Sequence, residues 1–213
     1  MKKTIIYAML LIGVNVNYGQ TSNLKEDKKE LRYSHKFTLG TDLAQPFVLG
    51  GFNINATYTT NRLIFDYSHG IGLEIPDFIK TTEQEDLNAQ IKIPWTTGPG
   101  IGYRWTDNLD TRIDFKAHRT EIDLLDGQVE LNYTQFKAGP GIYYRFYLGK
   151  NTGFGLEASA RYWFDLGNTQ DNLDGDNFNF VDDQGNNQSF DTNISAGIGV
   201  NVALIYTFGR NKK

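Results

Sequence analysis

The chain lacks cysteine entirely, with Cys 0 among 213 residues. This absence excludes a disulfide framework and a lipid anchor attached through cysteine. Long apolar runs are missing too, because no segment beyond the N terminus has the roughly 18 consecutive apolar residues of a membrane-spanning helix. Basic residues do not predominate either, since the net charge is -4 and the pI is about 5.4. A nucleic-acid partner is therefore not expected.

A short basic and apolar segment opens the chain. Residues 1–4, Met-Lys-Lys-Thr, precede an apolar run over residues 5–14, which is the arrangement of a secretory signal peptide. We expect residues 1–19 to be removed, which leaves Gln20 at the new terminus and, with the loss of two lysines, takes the net charge from -4 to -6. The alternatives are an uncleaved amphipathic start and a buried core segment.

Alternation with a period of two is the main signal in the rest of the chain. Over residues 154–166, one parity carries only apolar and aromatic residues, whereas the other includes Glu157, Arg161 and Asp165. Because successive side chains of a strand point to opposite faces, this strand has one apolar and one charged face. The last strand, which ends on Phe208, repeats the pattern.

About eight such strands are predicted, so the fold class is all-β, a closed antiparallel up-and-down transmembrane β-barrel over residues 36–208. Short turns are expected at residues 60–62, 106–110 and 149–152, and longer loops near residues 45–51, 72–90, 125–132 and 167–192. Short turns on one rim and long loops on the other are typical of bacterial outer-membrane barrels, with both termini in the periplasm. Residues 20–35 then form a periplasmic N-terminal segment, and residues 209–213 a periplasmic tail.

A glycine-rich motif occurs twice, at residues 98–105 and 139–146, each time before a short turn. A phosphate-binding loop would need a following helix with Lys and Ser or Thr, which neither copy has. With the aromatic strand ends and the predicted start at Gln20, these segments resemble small outer-membrane β-barrel proteins of the OmpA, OmpX and OmpW group of Bacteroidetes-type bacteria. The resemblance covers roughly residues 36–208 and is not specific to a function.

That resemblance carries several expectations. It implies an eight-stranded barrel in the bacterial outer membrane, in contact with outer-membrane lipid. The aromatic end of the final strand is similar to the signal by which such barrels engage the barrel-assembly machinery. The peptidoglycan-binding domain that follows the barrel of OmpA-type proteins is not expected, because this chain ends at the barrel.

The inward parity of the predicted barrel is charged. Its acids and bases nearly balance: Asp42, Asp66, Asp114, Glu157 and Asp165 against Arg104, Arg112, Lys116, Lys137, Arg145 and Arg161. An unpaired buried ion costs several kcal/mol, and an eight-stranded barrel holds little beyond its own side chains. We therefore expect an interior closed by ion pairs, with Arg145 and Glu157 as one structural pair. The alternative is a narrow porin-like channel for ions or small solutes.

Aromatic residues on the outward parity predict an interfacial girdle near the short-turn ends of the strands. Its members are Trp95, Tyr103, Trp105, Tyr144, Phe146, Tyr206 and Phe208. In the strand near residues 91–105, we also expect Ile93 to face outward and Lys92 to face inward. A soluble lipocalin-like barrel, with an apolar interior, shares the same period, but a charged inner face would make a poor soluble core.

No catalytic or metal motif is strong. Ser68 and His69 are expected on opposite faces of a strand, which argues against a Ser-His pair. The segment from His118 to Glu121 faintly resembles the His-x-Ser arrangement of lipid A deacylase barrels, but Thr120 replaces the serine. We therefore expect no enzyme, no metal and no cofactor. A membrane-embedded lipid-modifying enzyme is kept as a second alternative.

Residues 171–183 form an acidic stretch of the kind that holds Ca²⁺. The EF-hand spacing fails, because Asp176 occupies the position that requires glycine, so a solvated loop is expected. Phe178, Phe180 and Phe190 in this region would suit an extracellular partner that the sequence does not identify. The function expected is a structural or surface-interaction role in the cell envelope.

Overall fold

The chain folds into a closed antiparallel barrel of eight strands, which confirms the predicted fold class. The computed structural model describes residues 35–149, 152–170, 173–174, 177–182, 184–192 and 197–208. The barrel strands are β1 (Lys36–Asp42), β2 (Phe52–Thr59), β3 (Leu63–Glu74), β4 (Gln90–Arg104), β5 (Leu109–Leu124), β6 (Val129–Tyr147), β7 (Phe154–Asn168) and β11 (Gly197–Phe208).

The predicted signal peptide at residues 1–19, nearly all of the segment 20–35 and the tail 209–213 lie outside the described residues. They stay predictions.

Each barrel strand pairs with its neighbours in the chain, and β11 pairs with β1 to close the ring. Three shorter strands lie in the last long connection and form a separate sheet in the order β10-β9-β8. Their bounds are β8 (Leu173–Asp174), β9 (Asn177–Val181) and β10 (Asn187–Asp191). The connection between β7 and β11 therefore carries a folded unit rather than an irregular loop.

Short turns join β2 to β3, β4 to β5 and β6 to β7. In the first short turn, the amide of Thr60 donates to the carbonyl of Leu63 at 2.8 Å. In the second, the Thr106 hydroxyl accepts from the amide of Leu109 at 2.9 Å. The longer connections hold α1 (Ala44–Val48) and α2 (Thr82–Asp86). No helix in the described part of the chain is long and apolar enough to cross a membrane.

The prediction of a long loop at residues 125–132 is wrong. β5 continues to Leu124 and β6 already begins at Val129, with a single 3-10 turn between them. β5 pairs with β6 along its whole length, from Leu109↔Tyr144 to Leu124↔Val129. Paired strands rather than a loop therefore extend this hairpin.

The facing predicted for the start of β4 is also wrong. A bulge between Lys92 and Trp95 shifts the register against β5, and a bulge reverses the faces of the residues beyond it. Ile93 is consequently buried and Lys92 exposed. On the neighbouring strand, Gly72 has a positive φ of 66°, a conformation that glycine adopts readily, and it turns Leu73 inward opposite Ile93.

The inside of the barrel is apolar toward the long connections. A cluster that we name the apolar cap consists of Leu87, Ala89, Ile91, Ile122, Leu124, Leu131, Tyr133 and Phe190. The members on β5 and β6 share the inward parity of the charged residues further along the same strands, whereas Ile91 of β4 lies before the bulge and has the opposite parity to Arg104. The prediction that Phe190 presents a surface to a partner is therefore wrong, because its side chain is fully buried in this cluster.

Candidate functional site

The charged interior is organised around Arg112, on the inward face of β5. Its Nη1 donates to Asp66 at 3.1 Å, its Nε to Asp110 at 2.7 Å and its Nη2 to Glu157 at 2.8 Å. The guanidinium carbon lies 3.9 Å from the centre of the Tyr143 ring. One cation therefore joins carboxylates from β3, β5 and β7 across the barrel.

Arg145 on β6 completes this group. Its Nε donates to Glu157 at 2.8 Å and its Nη2 lies 2.9 Å from Asp110. The predicted pair between Arg145 and Glu157 thus forms, at directly opposed positions of β6 and β7. We name Asp66, Asp110, Arg112, Arg145 and Glu157 the ion-pair layer; all five side chains are buried.

Asp110 is not among the predicted lumen charges, because the sequence predicts a turn at residues 106–110. In the structure β5 begins at Leu109, so Asp110 already lies in the strand. It shares the parity of Arg112 and contacts both arginines. That shared parity was the signal that could have identified it.

A second group lies around Asp114. This carboxylate accepts from the Tyr143 hydroxyl and lies 3.5 Å from Nη1 of Arg161. Together with Asp42 and other polar side chains they line a cavity of about 20 Å³. Such a volume has room for about one water molecule.

Toward the apolar cap, the interior carries two lysines at directly opposed positions of β5 and β6, Lys116 and Lys137. Nζ of Lys116 donates to the Ser68 hydroxyl and, at 3.3 Å, to the carbonyl of Gly98. Lys137 is buried opposite Asp165, which also accepts from Gln135.

Next to these lysines, buried polar atoms of four further side chains have no hydrogen-bond partner among the described residues: Gln45, Thr96, His118 and Thr120. Native interiors rarely leave such atoms unpaired. This level of the barrel interior is therefore polar but less fully paired than the ion-pair layer.

At the short-turn end, the remaining predicted lumen charge, Arg104, forms an ion pair with Asp107. Asp107 also accepts from Lys36 at 2.7 Å. A hydroxyl contact of 2.9 Å joins Thr38 to Thr207 across the seam between β1 and β11. These contacts tie the first and last strands to the turn between β4 and β5.

Six of the seven predicted girdle residues lie near the short-turn ends in close aromatic pairs. The ring centres are 4.8 Å apart for Tyr103 and Trp105, 4.6 Å for Tyr144 and Phe146, and 4.8 Å for Tyr206 and Phe208. The position predicted for Trp95 is wrong: it lies opposite Ile71 and Arg119, toward the long-connection end of β4.

No group of three metal-ligating side chains occurs among the residues that the structure describes. In the acidic stretch, the Asp182 carboxylate accepts hydrogen bonds within the hairpin of β9 and β10. It accepts from the amide of Asn186 at 2.8 Å and from Nε2 of Gln188 at 3.1 Å. These hydrogen bonds, with that of the Asn186 amide foremost, hold the pKa of Asp182 below its usual value.

Several solved structures are similar to this chain, including the following two. A major outer membrane protein from Thermus thermophilus aligns with a TM-score of 0.46 and 13% identity, covering 83% of this chain and 100% of that chain. Ail, the attachment invasion locus protein of Yersinia pestis, aligns with a TM-score of 0.39 and 13% identity, covering 83% and 99% respectively. No family model matches the chain, and no curated protein does.

Proposed function

We propose that this protein is an integral outer-membrane β-barrel with a closed, charged interior and a structural or surface-interaction role. The observation that carries the proposal is the reversed polarity of the barrel wall. Buried inward positions hold the ion-pair layer, whereas the outward positions are large and apolar. A water-soluble protein would have to leave this apolar surface exposed, which monomeric proteins avoid.

The outward surface supports a membrane location. Apolar side chains cover it on every barrel strand, among them Phe37, Ile54, Phe65, Ile101, Ile113, Ile142, Phe164 and Leu204. The aromatic pairs lie at one end of this belt, where the amphipathic rings of outer-membrane barrels meet the interface. In hydrocarbon every backbone group must be paired, and a closed barrel meets that requirement.

The contacts inside the barrel support a closed interior. The ion-pair layer joins four strands through hydrogen bonds of about 3 Å. Ions or solutes would have to pass this layer and then the apolar cap, which adds a dry segment to the path. A water-sized cavity alone does not provide a route for solutes.

The connections at the cap end support a surface role. The hairpin of β5 and β6 and the sheet of β8, β9 and β10 are folded units that meet in the apolar cap. Recognition surfaces in proteins are commonly loops positioned by a rigid scaffold. An extracellular partner bound through these units is part of the proposal.

Assembly of the barrel is proposed to depend on β11. This strand carries the outward aromatics Tyr206 and Phe208 at its end and closes the ring by pairing with β1. We propose that the barrel-assembly machinery engages this strand before the ring closes. Replacement of Phe208 by alanine is then expected to reduce the amount of folded barrel in the outer membrane.

Planar-bilayer recording tests the closed interior. The protein is refolded into lipid vesicles, and folding is verified by a boiling-dependent change in gel mobility before fusion with the bilayer. The proposal predicts no conductance steps above those of protein-free vesicles. Steady steps from verified barrels would contradict it and favour the narrow channel.

A further inference from the structure

The N-terminal part of β11 has no β1 residues paired beside it. β1 is the shortest barrel strand, with 7 residues against 12 in β11. Their pairing ends at Asp42↔Ala203, followed by one hydrogen bond of 2.8 Å from the amide of Leu43 to the carbonyl of Val202. Residues 197–201 of β11 therefore extend beyond the end of β1.

The exposure of the outward side chains of β11 rises where β1 ends. Their exposed fraction is 40% at Leu204 and 41% at Val202, and it rises to 62% at Val200 and 82% at Ile198. β7 flanks all four residues on the other side. The loss of the β1 neighbour therefore accounts for the rise.

Helix α1 takes the place of the missing strand. It follows β1 directly and contacts both β11 and β2. Oε1 of Gln45 is buried and lies 3.2 Å from the point where a Cβ on inward-facing Gly70 would sit. Because an α-helix turns about 100° per residue, Phe47 lies on the side of α1 opposite Gln45, and 81% of its side chain is exposed.

The helix thus obeys the same rule as the strands, with a polar side chain toward the interior and an apolar one outward. Phe47 of α1, Phe52 of β2, and Ile198 and Val200 of β11 are large, outward-facing and exposed. We name these four residues the seam patch. It continues the apolar belt of Val202 and Leu204 without a charged residue among its members.

We propose that α1 lies within the membrane as part of the barrel wall and that the seam patch binds the acyl chains of outer-leaflet lipid. This inference rests on the proposed membrane location. Acyl chains are the occupant because the patch is continuous with the lipid-facing belt and its four side chains are apolar and exposed. The helix therefore seals the gap between β2 and β11 against lipid.

Site-directed spin labelling tests the proposal, and the absence of cysteine from the chain makes single labels clean. Nitroxides are attached at Phe47→Cys and Ile198→Cys in protein refolded into dilauroylphosphatidylcholine vesicles. Ile113→Cys, in the middle of the belt on β5, serves as the lipid reference. Val181→Cys, exposed on β9, serves as the water reference.

Collision rates with oxygen, which concentrates in lipid, and with a polar nickel chelate are compared at each site. The proposal predicts that labels at positions 47 and 198 favour oxygen, as the label at 113 does, whereas the label at 181 favours the nickel chelate. Each variant must first show the boiling-dependent mobility change of a folded barrel.

The outcomes are distinguishable. A lipid-exposed label at 113 with water-exposed labels at 47 and 198 overturns the seam proposal and leaves the membrane barrel standing. A water-exposed label at 113 overturns the membrane location itself. Spin-spin broadening at 47 or 198 that grows with protein density indicates a second copy of the chain on the patch, which also overturns the proposal.

Discussion

Replacement of Arg112 by methionine tests whether the ion-pair layer stabilises the barrel. Methionine keeps much of the apolar stem of the side chain but removes the guanidinium group. Asp66, Asp110 and Glu157, all buried, lose the cation that lies within 3.1 Å of each of them. Arg145, which contacts Asp110 and Glu157, is then the one remaining cation of the layer.

The expected loss is large. Breaking a buried ion pair by removing one partner costs about 3–5 kcal/mol, because an uncompensated charge remains. Whole domains are stable by about 5–15 kcal/mol, so Arg112→Met removes a substantial part of the free energy of unfolding. The exposed Lys92 provides the control, since Lys92→Met removes a surface charge that is worth at most about 1 kcal/mol.

Urea unfolding of the refolded protein in lipid vesicles, followed by tryptophan fluorescence, measures both variants. A double variant sharpens the test. In the Arg112→Met background three carboxylates face the single cation Arg145. Glu157→Gln removes one of these excess carboxylates, so its added cost falls below its cost in the wild type by about 0.5–3 kcal/mol. A loss below about 1 kcal/mol for Arg112→Met, or strictly additive effects, would refute the reasoning.

Three further predictions concern other parts of the molecule. Phe190→Ala empties a fully buried position of the apolar cap, and we expect a local destabilisation of about 3 kcal/mol. Proteinase K should then cleave faster between β7 and β11 while the barrel stays folded. An unchanged cleavage rate would contradict the packing of Phe190. Because the pKa of Asp182 is depressed in the folded state, its ionised carboxylate stabilises the hairpin at pH values above the unfolded pKa of about 3.9. This contribution is lost as the pH falls through the lower folded pKa. The protection of the Asn186 amide against exchange, measured relative to the intrinsic rate at each pH, should therefore fall in acid, and Asp182→Asn should abolish that pH dependence. Gly98→Ala places a Cβ against the carbonyl oxygen of Phe115 and forces β4 and β5 apart. A loss of about 1–3 kcal/mol is expected, and an unchanged urea midpoint would contradict the close strand approach.

The sequence was sufficient for the barrel because period-two alternation is a direct consequence of strand geometry. The charged parity of residues 154–166 and of the segment around Arg112 marks the interior correctly. The pairing of Arg145 with Glu157 follows from their positions on either side of a short turn. These features depend on contacts between consecutive strands. The number of residues between two positions across a short turn is enough to predict such contacts.

Other features depend on local departures from regular strands. The bulge at Lys92 and the positive φ of Gly72 reverse the facing of Ile93 and Leu73 together, and alternation alone does not reveal where such a reversal occurs. Likewise, the sequence predicts a turn at Asp110 because turn residues surround it.

Alternation does not predict the apolar cap, for a different reason. Ile122 and Leu124 share the inward parity of Arg112, yet they are apolar. Their partner Phe190 comes from a distant connection, and long-range packing of this kind leaves no periodic signal. The placement of α1 in the wall likewise depends on where the pairing of β1 with β11 ends.

Fractionation of cells that express the chain tests the central claim most directly, when combined with gel electrophoresis before and after boiling. The account predicts recovery in the outer membrane and a boiling-dependent shift in mobility, because a closed barrel in lipid resists detergent until it is heated. Recovery in the soluble periplasmic fraction without a shift would contradict the account and would favour a soluble barrel.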